Sequence, residues 1–258
     1  GEETTASGDC STAIGRATIA SGDGSLAIGG DTIASGDFST AMGDRTTASG
    51  NYSTAMGEGT TASGDDSIAM GSYTTASGGT STAMGTSTTA SDNSSLVIGH
   101  FNLSGSTVTA NAADFSLDNT AFVVGNGTAS NNRSDALVVK FNGDATLAGN
   151  LNINSDARLK ANIISLGSTL AKLLQIDGKS YTMKKDENKK QKIGLLAQDI
   201  EKVFPELVSE SHGVKSVNYQ GLVPVLINAL KDQEKKIKSQ ESKLLKLESL
   251  VQDLIDNQ

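Results

Sequence analysis

The triplet Ala-Ser-Gly returns every 14 residues, at Ala6, Ala20, Ala34, Ala48, Ala62 and Ala76, and a seventh, altered copy reads Ala90-Ser91-Asp92. A strict period of this length marks one supersecondary unit stacked on copies of itself. Between the triplets runs a second phased unit, Ser-x-Ala-(Ile/Met)-Gly, as in Ser11 to Gly15, Ser39 to Gly43, Ser67 to Gly71 and Ser81 to Gly85, with Ser95-Leu96-Val97-Ile98-Gly99 as its last copy. A 14-residue unit is too short for a helix pair. It suits two short strands and two tight, Gly-centred corners per coil, which is a parallel β-solenoid. Seven coils at the usual inter-strand spacing of about 4.8 Å stand roughly 34 Å tall.

Alternation along a strand sorts the ladders by face. Ser11, Ala13 and Gly15 share one face, small enough for close backbone approach, while Ile14, Ile28, Met42, Met56, Met70, Met84 and Ile98 line the other. A seven-rung apolar stripe left in water is a large sticky patch, so it is expected to be covered by other copies, most economically as a homotrimer. Another ladder, Thr4, Thr18, Thr32, Thr46, Thr60, Thr74 and Thr88, has two readings. Threonine is a good strand former, and a regular threonine array on a flat surface is also what an ice-binding solenoid needs.

The ladders resemble the head of YadA-type trimeric adhesins over about residues 4–99, and that resemblance implies a left-handed parallel β-roll. It implies architecture and not a ligand.

Composition agrees with an elongated object. Six Phe, four Tyr and no Trp in 258 residues are poor material for one large globular core. Charge is uneven: residues 1–154 hold 4 Lys/Arg against 15 Asp/Glu, and residues 155–258 hold 17 against 14. An acidic first part excludes a phosphate backbone as its partner, so no nucleic acid is expected. Cys10 is the single cysteine and leaves neither a disulfide nor a zinc cluster. His100 and His212 lack companions for a metal site or a triad, so no metal and no cofactor are expected. No apolar run approaches the roughly 20 residues of a membrane span, and no basic-then-apolar leader opens the chain. The Gly1 start reads as that of an excised piece, so the missing leader is expected to mean little.

Three regions are expected: the repeats at 1–99, a β-rich connector at 100–154 and a different domain at 155–258. In the connector, Ala121-Phe122-Val123-Val124 and Ala136 to Phe141 read as strands, with Asn142-Gly143-Asp144 a tight turn into Ala145-Thr146-Leu147. From Ser155 the composition turns Lys/Leu/Glu-rich. Residues 156–175 read as helix around Leu159, Ile163 and Leu166, and Gly178 to Met183 and Lys192 to Leu196 read as strands flanking the solvated polar run from Lys184. Ala197 to Phe204 reads as a helix stopped by Pro205. About residues 220–256 form a coiled-coil helix, with Val223, Leu226, Leu230, Gln233, Ile237, Gln240, Leu244, Leu247, Val251 and Leu254 at 3-4 spacing as the trimerisation seam. Its two glutamines weaken packing and fix register.

Ser155-Asp156-Ala157-Arg158-Leu159-Lys160 places a hydroxyl near an amine. Two readings are open: Ser155 caps a helix starting near Asp156 while Lys160 is solvated, or Lys160 activates Ser155 as a nucleophile in a water-poor pocket. The wider pattern is Ser155-Asp156-x-Arg158-Leu159-Lys160-x-Asn162-Ile163, Gly178-x-x-Tyr181, Ile193 to Glu201, Phe204 to Val208 and Val217-Asn218-Tyr219, then a long helix. Over roughly residues 150–240 it resembles the intramolecular chaperone domain of endosialidases and other phage tail spikes and fibres. That resemblance implies a small α+β domain that assembles three shafts and then cuts the bond before its motif serine. Carried onto this chain, Ser155 is the nucleophile, Lys160 the general base and Asn154–Ser155 the scissile bond.

The expectation is a mainly β homotrimeric fibre or adhesin, on a virion tail fibre or at a cell surface. Its receptor is not written in the sequence. A fibre with a permanent, uncut clamp is the alternative, and an ice-binding solenoid a further one.

Overall fold

The structure, a computed structural model, describes residues 1–103, 114–184, 186 and 189–256. The chain divides into two units, Gly1–Ile153 and Asn154–Gln258.

The first unit is a mainly β solenoid with two strands per coil. The longer strands, Thr12–Arg16 through Leu96–His100, pair in parallel with partners one period apart, as in Ala13↔Ala27, Ile14↔Ile28 and Gly15↔Gly29. The short strands Thr5–Ala6 through Thr89–Ala90 form a second, seven-stranded sheet. The core is a column of alanines: Ala20, Ala27, Ala34, Ala41 and their successors to Ala90 are fully buried and pack on one another. As the alternation requires, the Ile/Met ladder points away from the alanine column; in the single chain Ile14 of the first coil is 55% exposed and the other six are partly buried.

Glycine has a different place from the one expected. The corners are tight, but their left-handed residues are mostly not glycine: Phe38, Tyr52, Asp66 and Thr80 all have φ between 54° and 57°. Each such residue costs about 1–2 kcal/mol, offset by a ladder of hydrogen bonds in which its N–H donates to the preceding coil, as in Phe38 N to Asp23 O at 2.7 Å and Tyr52 N to Asp37 O at 2.7 Å. Glycine is needed instead where coils touch. A Cβ on Gly57 would lie 1.9 Å from the carbonyl oxygen of Gly71, at a φ of +123°.

The threonine array lies inside. Thr18, Thr32, Thr46, Thr60, Thr74 and Thr88 are fully buried, and their hydroxyls have no hydrogen-bond partner. An ice-binding face needs exposed hydroxyls, so that reading is overturned. A buried, unpaired hydroxyl costs about 1–3 kcal/mol. Thr46→Val, which removes one while keeping its shape, is expected to raise the denaturation midpoint of the shaft, by the equivalent of about 1 kcal/mol. A lower midpoint would show that the hydroxyl bonds within the column.

The altered seventh copy closes the stack. Asp92, standing where the other coils have Gly, accepts from the N–H and hydroxyl of Thr120. The Asn102 amide accepts from Thr89 N at 2.7 Å and donates to Thr89 O at 3.0 Å, doing for the last short strand what a further strand would do. The long-strand sheet continues: Thr120–Asn126 pairs in parallel with Leu96–His100, and Asp135–Lys140 and Ala145–Leu147 follow antiparallel. Phe122-Val123-Val124-Gly125 repeats the pattern Leu96-Val97-Ile98-Gly99 in register, a signal of this extra rung that the sequence carries. The expected turn after Lys140 is present, with Gly143 at φ +88°.

The second unit is α+β. Two hairpins, Lys179–Thr182 with Gln191–Gly194 and Val208–Ser211 with Val214–Val217, flank the helix Ala197–Val203. The first hairpin and the helix are the elements expected; its polar tip lies partly outside the described residues. The second was missed, although His212-Gly213, both at positive φ, is a two-residue turn between alternating runs. Ile200, Val203, Phe204, Leu207, Leu222 and Val225 form the core. The last element among the described residues is the 35-residue helix Leu222–Asp256.

The helix expected over 156–175 is not formed. Only the 3-10 turn Ala157–Leu159 and the short helix Leu170–Leu173 are regular. Asn162 and Gly167 sit at φ 52° and 64° and interrupt any helix. Leu159, Ile163, Ile164 and Leu166 are exposed, so their spacing meets no surface of this unit.

Candidate functional site

Asp156, not Ser155, caps the turn Ala157–Leu159. Its carboxylate accepts from Arg158 N at 2.8 Å and from the Arg158 guanidinium at 2.6 Å, and these contacts hold its carboxyl below the usual carboxylate range. Arg158 is thereby fixed to Asp156, and the turn carries Lys160 N to Ala157 O at 3.1 Å. The reversal brings Lys160 back over Ser155, whose hydroxyl accepts from Nζ at 2.7 Å. The capping reading of Ser155 is therefore replaced by a direct serine–lysine contact. Both side chains, and Asn154 before them, are exposed in the single chain.

The other segments of the sequence pattern converge elsewhere in the unit. Tyr181, Leu195, Leu196, Ala197, Gln198, Lys215, Val217 and Tyr219 line an open hollow of about 280 Å³. The Tyr219 hydroxyl accepts from Leu195 N at 2.9 Å. Gly194 permits this approach, because a Cβ there would lie 2.8 Å from that hydroxyl oxygen and 3.2 Å from the Tyr181 ring. Lys215 closes one side, paired with Glu201 at 2.5 Å, a contact that raises its pKa. The pattern thus encodes a scaffold as well as the serine–lysine contact.

All ten residues expected to form the seam, from Val223 to Leu254, are exposed on the long helix, Leu230 at 68%. The face that packs on its own unit is a different one, carrying Leu222, Val225 and Ala229. Among the described residues no group of His, Cys, Asp and Glu is placed to hold a metal, and no helix is long and apolar enough to cross a membrane.

Comparison with known proteins fits both halves. Residues 155–209 match the family described as chaperone of endosialidase. Residues 20–46, 48–74 and 76–102 each match the YadA head domain repeat. Long tail fiber protein Gp37 of Salmonella phage S16 is 30% identical over 125 residues, covering 45% of this chain and 17% of that protein. Its namesake in Enterobacteria phage K3 is 31% identical over 126 residues, or 43% of this chain and 10% of that one. In Enterobacteria phage T2 the figures are 31% over 106 residues, 38% and 8%. The chain spans less than a fifth of the length of these relatives. Repeat ladders and matched segments together give one conclusion: the chain joins YadA head repeats, matched within residues 20–102, to a segment, residues 155–209, that matches the chaperone of endosialidase.

Proposed function

We propose that this chain is part of a homotrimeric attachment fibre, on a virion tail or at a cell surface, whose second unit gathers three shafts and then cuts itself away before Ser155. The observation that carries this reading is the 2.7 Å contact between Lys160 Nζ and Ser155 Oγ, with Asp156 taking the cap that would otherwise occupy the serine.

In this scheme the Ser155 hydroxyl oxygen attacks the Asn154 carbonyl carbon and its proton passes to Lys160. The amide C–N bond breaks as its nitrogen recovers that proton, leaving Asn154 esterified to Ser155. Water then hydrolyses the ester to an Asn154 carboxylate and the Ser155 hydroxyl, whose residue already carries the amine freed in the step before. Lysine serves as the base only when water is excluded and its charged form disfavoured. In the single chain both groups are exposed, so neighbouring copies have to enclose them, and assembly precedes cutting. The exposed seam and the partly buried Ile/Met ladder are the surfaces those copies would cover.

The long tail fiber likeness supports a role in attachment, toward a receptor on a cell surface. A helical clamp that nucleates early also addresses the slow folding of parallel β topologies, whose contacts are largely non-local.

Wild type is expected to give two bands on a denaturing gel, residues 1–154 and 155–258, with the smaller one beginning Ser155-Asp156-Ala157 by N-terminal sequencing. Ser155→Ala and Lys160→Ala should stay whole. An uncut wild-type trimer would instead make the second unit a permanent clamp.

A further inference from the structure

The dyad is held to its own unit by a short link. Among the described residues, those between Lys160 and Gly167 make no hydrogen bond to the rest of the unit, and the apolar Ile163 and Ile164 are exposed, the latter at 85%. The first attachment comes at residues 167–170, and it is to the long helix. One oxygen of Asp232 accepts from the Ser168 hydroxyl at 2.7 Å, from Thr169 N at 3.1 Å and from Leu170 N at 3.4 Å. Thr169, itself buried, donates its hydroxyl to Val225 O at 2.7 Å, and the Asn228 amide donates to Gly167 O at 3.0 Å. Thr169 supplies no side-chain cap to the helix Leu170–Leu173, so a carboxylate more than sixty residues away provides it. These contacts hold the Asp232 carboxyl below its usual range.

The position of the clasp on the helix is informative. Asp232 continues the buried face of Leu222, Val225 and Ala229, and it immediately precedes Gln233 of the exposed seam. The same turn of helix therefore grips the dyad segment on one face and offers its seam on the next. Seven residues lie between Lys160 and Ser168, eight chain steps with a reach of at most about 27 Å, so fixing residues 168–170 confines where the dyad can go.

We propose that Asp232 is a positioning residue for self-cleavage: it ties the dyad segment to the bundling helix, so that three helices coming into register deliver each Ser155–Lys160 pair to the surface that encloses it. The proposal rests on the cutting reaction above and assigns Asp232 no contact with the reacting atoms.

The test follows cleavage over time in cell-free translation on denaturing gels, with native mass as the measure of assembly. Asp232→Ala removes the shared acceptor and is expected to slow cutting roughly tenfold or more, as small misplacements of reactive groups do, with the assembled fraction unchanged. Asp232→Asn, whose amide oxygen still accepts, should recover part of the rate; a purely steric or folding role would not show that graded rescue. Should Asp232→Ala fail to assemble, Ser168→Ala decides, since it leaves both backbone contacts: slower cutting in a full assembly supports the clasp, and an unchanged rate overturns it. An Asp232→Ala assembly cutting within twofold of wild type also overturns it. A wild type that never cuts overturns the underlying reaction, an outcome distinguishable because no variant then matters.

Discussion

Gly57→Ala is expected to leave almost no soluble, protease-resistant shaft. The new Cβ would stand 1.9 Å from the carbonyl oxygen of Gly71, and the residue would sit at φ +123°, which side-chain-bearing residues rarely adopt. The obstacle is backbone, which cannot swing aside, and relief by separating the coils breaks the parallel ladder on that side. The cost exceeds about 4 kcal/mol, the range reached only by a few severe mechanisms. It would be paid in every copy of an assembly. Gly79→Ala is the matched control: Gly79 has no positive φ, and its Cβ would meet only the Asn93 side-chain nitrogen at 3.0 Å. That variant should express and resist protease like wild type. If both behave alike, the tight stack is wrong.

The second large effect is expected from the double change Leu230→Asp and Leu244→Asp. Both lie in the proposed 3-4 seam and are exposed in the single chain, so each would place a charge where, on this proposal, three helices meet. Burying a leucine is worth about 1.5–3 kcal/mol per chain, and a carboxylate at the same position adds a desolvation penalty. Assembly should be lost, and the repeats, left without a clamp, should appear as insoluble or heterogeneous material. Leu245→Asp is the control. It is equally exposed, at 66%, but off the seam, and should assemble normally by size-exclusion chromatography with light scattering.

The solenoid was legible because its signal is repeated: each position of a coil is stated seven times, so one departure such as Asp92 does not obscure the period. The role of that departure was not legible, since it depends on Thr120, reached only after the period ends. Faces of strands followed from alternation, yet the Thr ladder could be placed inside or outside until the corner geometry was known. The segment 156–175 misled for a physical reason. Its Leu159, Ile163 and Leu166 have helical spacing, but Asn162 and Gly167 take left-handed conformations and the apolar residues find no partner in their own unit. In the candidate site, Ser155 and Lys160 are near in sequence and could be paired on paper; that Asp156 frees the serine by taking the cap required the turn itself. The clasp from Asp232 to Thr169 joins residues 63 apart and leaves no local pattern.

The account depends on the apolar stripe of the shaft and the seam of the helix being covered by further copies of the same chain. The most direct measurement is the native mass of residues 1–258 carrying Ser155→Ala, the change expected to keep both units joined. Particles of three chains are predicted, at dilutions well below micromolar. A well-folded particle of one 26.4 kDa chain under the same conditions would contradict it.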